Sequence, residues 1–204
     1  MGRNLHNSDK TILHLCAGIG SDSQPYKNAG YNVICIGKNI GVENYHPPEN
    51  VYGIIANPPC TMFSFVRTRA KIPRNLPEGM YLVKECLRII WECQYRIIKD
   101  TQKYSPLKFW VLENPYYGML KWFLGTPAMV YSPHEFDDTY RKLTALWGNF
   151  YHPTKYPITN IKLVKFDRLL TKQIHPEYYG QLSRQDRRSV CSEKFAKAFF
   201  EVNQ

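Results

Sequence analysis

TILHLCAGIGSDSQPYKNAG, residues 11–30, decides the fold class. Its first six residues are an apolar run of strand length, and they pass directly into a glycine turn and a segment that suits a helix. A strand, a Gly-rich turn and a helix in immediate succession open an α/β domain. YNVICI (31–36) and VYGIIA (51–56) repeat the strand pattern, and each closes on Gly, Asn or Pro where a loop begins. Between 79 and 99 the apolar residues Val83, Cys86, Leu87, Ile90, Cys93 and Ile97 recur at three- and four-residue steps, which predicts one long amphipathic helix. FWVL (109–112) reads as a fourth strand, TALWGNF (144–150) as a late one and 192–202 as a closing helix. This alternation predicts a mostly parallel sheet covered on both faces, with ligands beyond the carboxyl ends of its strands.

A chain of 204 residues has room for one hydrophobic core, so 1–204 is expected to be a single domain. Hydrophobic residues make up 44% and charged ones 22%, a balance that excludes a disordered or fibrous chain. No apolar run reaches the roughly eighteen residues of a membrane span, and residues 1–10 are too polar for a signal peptide, so a cytoplasmic protein with no membrane partner is expected. Cys16, Cys35, Cys60, Cys86, Cys93 and Cys191 lack CxxC spacing, which argues against zinc and against a compact disulfide framework; most read as small buried hydrophobes. Cys86 and Cys93 share one helical face as core residues. His46, His134, His152 and His175 have no metal spacing, and Trp91, Trp110, Trp122 and Trp147 are expected in the core and cleft wall. With 27 Lys and Arg against 17 Asp and Glu, the formal charge of +10 favours a polyanionic partner, nucleic acid above all.

Two short motifs carry chemistry. Asn57-Pro58-Pro59-Cys60 follows the third strand, and its prolines fix the backbone that presents a thiol at the mouth of the sheet. A thiolate there is a nucleophile if positive charge activates it, and the following loop offers Arg67, Arg69, Lys71 and Arg74. Glu113-Asn114-Pro115 follows the fourth strand, which puts a carboxyl group on the same rim. A carboxyl kept partly protonated by burial can protonate a ring nitrogen, N3 of a cytosine, while a thiolate attacks C6 of the same ring.

In order and spacing these motifs resemble those of the DNA cytosine-C5 methyltransferases. The landmarks here are HLCAGIGS (14–21), NPPCTMFS (57–64), VLENP (111–115) and RRSVCSEKFAKAFFE (187–201), and DDTYRKLTALWGNF (137–150) looks like the form found in small methylases of phages and prophages. The resemblance covers nearly the whole chain. It implies a Rossmann-like class I methyltransferase fold of α/β class, DNA as partner, and S-adenosylmethionine as methyl donor. By the same resemblance, Cys60 attacks C6 of a cytosine rotated out of the duplex, Glu113 assists at N3, and Arg141 or Lys142 holds the base. His14, Ala17, Gly18, Ile19, Gly20, Asn57, Pro58 and Ser189 fall at cofactor-binding positions, while Arg67, Arg69, Lys71 and Arg74 fall on the DNA side. A phage-encoded enzyme of restriction-modification would work in the bacterial host cytoplasm.

The chain departs from that pattern in two places. His14 stands where the first motif normally begins with an acid, and Ile36-Gly37-Lys38 replaces the region of the second acid, leaving Asp22 and Glu43 as substitutes. The target-recognition domain is reduced to 151–186. There Lys162, Lys165, Arg168 and Lys172 alternate with Tyr156, Phe166, Tyr178 and Tyr179, a pattern suited to phosphates and bases or to a solvated basic loop, and a partner chain could supply further recognition surface. Two alternatives stand beside methylation. One is an enzyme with an altered donor site that makes another C5 modification or deaminates cytosine; the other is a catalytically degenerate DNA-binding protein that masks sites.

Overall fold

Strands β1 (Thr11–Leu15), β2 (Asn32–Ile36) and β3 (Val51–Ala56) form in the order that their apolar runs predict. This computed structural model describes residues 6–65, 67, 70–98, 103–104, 107–156, 163, 172, 176 and 179–204. Arg69 and His175 lie outside the described residues, as do Lys162, Lys165, Phe166, Arg168 and Tyr178. A short ladder of β4 (Ile97–Ile98) and β5 (Lys103–Tyr104) follows, then β6 (Phe109–Pro115), β7 (Met129–Tyr131) and β8 (Thr144–Asn149). The main sheet has six strands in the order β2-β1-β3-β6-β8-β7.

The sheet is mixed but mostly parallel, as expected: five of its six strands share one direction and β8 runs against them. β2, β1, β3 and β6 run parallel, but β8 is antiparallel to both β6 and β7. β7, which sequence reading missed because MVY is only three residues long, precedes β8 in the chain, occupies the sheet edge and runs in the direction of β6.

Period-two alternation divides each central strand between two cores. Leu13, Leu15, Ile54, Ala56 and Leu112 face one side, where α2 (Leu76–Tyr95) covers them with Val83, Cys86, Ile89, Ile90 and Cys93. Ile12, Ile55, Phe109, Val111 and Leu146 face the other, against α1 (Gln24–Asn28) and the closing helix α5 (Glu193–Val202). Helix α2 begins three residues before the expected Gly79, because Asn75 accepts a hydrogen bond from Glu78 N and Pro77 suits the first turn. Ser192 caps α5 in the same way through Phe195 N, and α4 (Arg184–Ser189) leads into it. Cys86, Cys93 and Cys191 are buried as expected, but Cys35 is exposed. The tryptophans divide: Trp147 is buried, while Trp91 and Trp122 are exposed at the surface, contrary to expectation.

Candidate active site

Sheet register assembles the site. Leu15 pairs with Ala56, and Ala56 with Leu112, so Cys16, Asn57 and Glu113 occupy the next row at the carboxyl rim of three adjacent parallel strands. Asn57 N donates to Leu15 O at 3.0 Å and fixes that row. Parity then sets direction: His14 follows Ile12, Asn57 follows Ile55 and Glu113 follows Val111, so all three belong to the sheet face that α5 covers. Lys142 reaches the same rim from the antiparallel side, just before β8, where Pro115 pairs with Thr144.

His14 is fully buried, with Nδ1 2.8 Å from Ser23 Oγ and Nε2 3.0 Å from Asn57 Oδ1. Asn57 Nδ2 in turn donates to Asp22 Oδ1 at 3.3 Å and the amide also bonds the Glu113 carboxyl. Because the Asn57 oxygen only accepts, Nε2 of His14 carries its proton. Burial holds His14 below its ordinary pKa, opposed by the charge of Asp22 and the bond to Asn57. Both ring nitrogens of His14, expected at a cofactor-binding position, are thus engaged inside the protein. Pro58 is buried, and its carbonyl accepts from Asn114 Nδ2 at 2.9 Å. That bond ties the nucleophile loop to the carboxyl end of β6.

The Cys60 thiol is pushed up by burial first and by the charge of Glu113 second; Lys142 and Arg188 oppose the shift. Glu113 is likewise pushed up by burial, with Lys142 lowering it, Asp22 raising it and the Asn57 bond lowering it. Thiol, carboxyl and ammonium therefore lie within electrostatic reach of one another, a grouping suited to coupled nucleophilic and acid catalysis. The cations acting on Cys60 are not those expected in its own loop. Arg74 is bonded to the carbonyls of Met62 and Ser64, so it shapes the loop. Lys71 is exposed, and Arg67 is half-buried. Of the two candidates from the basic segment, Lys142 faces the site, whereas Arg141 is exposed and its charge acts on His134. Arg188 escaped sequence reading because nothing in RRS distinguishes it from any basic helix end.

The glycine turn adjoins this cluster. Gly18 at φ +53° and Gly20 at φ +80° adopt left-handed conformations that other residues resist. A Cβ at Gly18 would meet only Ser189 Oγ, at 3.9 Å, so the turn is open beside Ser189. Hydrogen bonds within the fold take the N–H groups of Ala17 and Gly20. A ligand here would be held by the backbone of Gly18 and Ile19 and by the Ser189 hydroxyl, which fits the cradle expected for S-adenosylmethionine. The acids are arranged otherwise than the resemblance implies. Asp22 is engaged by Asn57, Glu43 acts on the Cys16–Cys86 pair, and exposed Lys38 follows β2. Beneath the site lies a cavity of about 20 Å³ between Asp22, Glu113, Cys191 and the apolar residues Val111, Leu146 and Phe199. It holds about one water, so a cofactor must bind outside it.

In the described part of 151–186, Tyr179 draws cations to its ring. Lys172 Nζ lies 5.6 Å and Arg187 4.6 Å from the Tyr179 ring, and exposed Tyr156 packs near Phe136. Among the described residues no His, Cys, Asp and Glu cluster could hold a metal ion, and no helix is long and apolar enough to cross a membrane. No protein-family model matches this sequence, and no curated protein matches it significantly.

Proposed function

We propose that the chain is a DNA cytosine-C5 methyltransferase with a Rossmann-like class I methyltransferase fold. The observation that carries this reading is the placement of Cys60 on the loop after β3 and of Glu113 at the carboxyl end of the adjacent parallel strand β6, coupled electrostatically and joined by the Asn114–Pro58 bond. A cytosine must leave the base stack to meet such a pair. The Cys60 thiolate then adds to C6 while Glu113 delivers a proton to N3, and the displaced electron pair makes C5 nucleophilic. Electrostatics links the two roles: a Glu113 kept protonated by burial does not oppose ionisation of Cys60, and Lys142 and Arg188 favour the thiolate. S-adenosylmethionine supplies an electrophilic methyl group. Release of the thioether S-adenosylhomocysteine, return of the N3 proton to Glu113, loss of the C5 proton to water and expulsion of the Cys60 thiolate restore the ring.

Mass spectrometry of nucleosides from DNA incubated with the protein tests the proposal. A methyl increment on cytosine that needs both S-adenosylmethionine and Cys60 supports it; unimpaired turnover by Cys60→Ala refutes it. A second reading has one observation behind it, the absence of a carboxylate after β2, where Lys38 is exposed. An altered donor site suits another C5 modification or deamination, and a different mass increment would identify it. A protein that only masks DNA has no need of the Cys60–Glu113 pair.

A further inference from the structure

We infer that an aromatic shelf beside the nucleophile loop binds the unpaired bases of a single-stranded segment flanking the reacting nucleotide. The inference deepens the proposed function by naming its substrate class, and it rests on features independent of Cys60 and Glu113. Phe65 is 41% exposed, Tyr117 63%, Trp122 64% and Phe123 48%. Large aromatic side chains gathered at such exposure gain little from folding, and a contiguous exposed apolar patch marks an interaction surface.

The shelf is continuous with the site. Phe63 N and Ser64 N both donate to Cys60 O, Ser64 bridges Gly118, and Met119 N donates to Phe63 O at 3.0 Å. The segment after Glu113-Asn114-Pro115 is thereby fastened to the segment after Cys60. Rings from the two segments meet: Phe65 and Trp122 lie 5.6 Å apart at 57°, and Phe63 and Phe123 lie 6.3 Å apart at 61°. α3 (Lys121–Leu124) carries Trp122 and Phe123 outward, and Gly125 accepts from Trp147 Nε1 at 3.0 Å, which anchors its end.

Charge selects the occupant. Lys121 Nζ stands 4.3 Å over the Tyr116 ring at the shelf, Lys71 is exposed in the loop after Cys60, and the chain carries a net charge of +10. Aromatic faces interleaved with cations match nucleobases on a phosphate backbone, and each base offers a π-face whatever its identity. Paired bases are already stacked inside a duplex, so the shelf discriminates in favour of unpaired strand.

Titration of the full chain with a deoxythymidine oligonucleotide isolates this surface, because that probe contains no cytosine. Tryptophan quenching should report binding, and Trp122→Ala should weaken it about tenfold. Trp122→Phe should retain most of the affinity, and Trp91→Ala on α2 should change it less than twofold. A hairpin duplex should respond less than twofold to Trp122→Ala. Equal affinity of wild type and Trp122→Ala for the oligonucleotide overturns the proposal, as does equal weakening on the duplex. A concentration-dependent dimer lost in Trp122→Ala, with DNA binding unchanged, would assign the shelf to a second copy of the chain and also overturn it. Binding to deoxythymidine with no cytosine modification would leave the shelf intact and refute only the reaction.

Discussion

Replacing Asn114 with alanine removes the bond that couples the loop of Cys60 to the end of β6 that carries Glu113. Asn114 is 1% exposed, and its Nδ2 donates to the carbonyl of buried Pro58 at 2.9 Å. Loss of a buried hydrogen bond costs about 1 kcal/mol net, and stranding the Pro58 carbonyl adds roughly 1–2 kcal/mol. Asn114 Oδ1 is itself buried without a partner among the described residues, so its removal offsets part of that cost. The expected destabilisation is about 2 kcal/mol, which at a urea slope of about 2 kcal/mol per molar lowers the unfolding midpoint by about 1 M. Asn114→Asp is a sharper test: it sets a carboxylate against the Pro58 carbonyl in a buried place and should cost more than about 3 kcal/mol. Urea unfolding followed by tryptophan emission measures both. Alkylation of Cys60, read by peptide mass, should also accelerate in Asn114→Ala as the loop loosens. An Asn114→Ala midpoint within about 0.2 M of wild type, or an Asn114→Asp as stable as the alanine variant, would refute the clamp.

Glu113→Gln should stabilise the protein at neutral and higher pH. Burial raises the folded pKa of Glu113 above its ordinary 4.5, so wild-type stability is greatest below that value and is lost as pH rises through the folded pKa. The variant's advantage should close near about pH 4 in thermal unfolding; an advantage that grows toward acid contradicts this sign. The alkylation profile of Cys60 should move to lower pH in Glu113→Gln, which removes an opposing charge, and to higher pH in Lys142→Met, which removes a favourable one. Gly148→Ala should cost about 3 kcal/mol or more, because a Cβ there would lie 2.1 Å from the Trp110 carbonyl oxygen, within the backbone of the β6–β8 ladder. A soluble variant melting with wild type would disprove that packing.

Much of the site was legible because strand parity is a sequence property. The runs ending at His14, Asn57 and Glu113 give the face of each side chain, and the two Pro-containing motifs mark the rim. The partnership of His14 with Asn57 was not legible, since it depends on the register between β1 and β3 rather than on either strand alone. Arg188 and Lys142 converge on Cys60 from segments far along the chain, whereas the cations nearest in sequence serve the loop itself. β7 was missed because it is too short to show a period, and the reversed direction of β8 was not legible because it is fixed by tertiary pairing. Exposure of Trp122 ran against a rule of burial that holds for most tryptophans, and that violation points to a surface with work to do.

Trapping the covalent intermediate tests the central claim most directly. DNA carrying 5-fluorocytosine can accept Cys60 at C6 but cannot release the C5 substituent as a proton, so the protein–DNA bond should persist. In the presence of S-adenosylmethionine, the account predicts a complex that survives denaturing electrophoresis and a peptide in which Cys60 bears the nucleotide, with neither formed by Cys60→Ser. Capture by Cys60→Ser, or no adduct from wild-type protein that demonstrably binds the DNA, would contradict it.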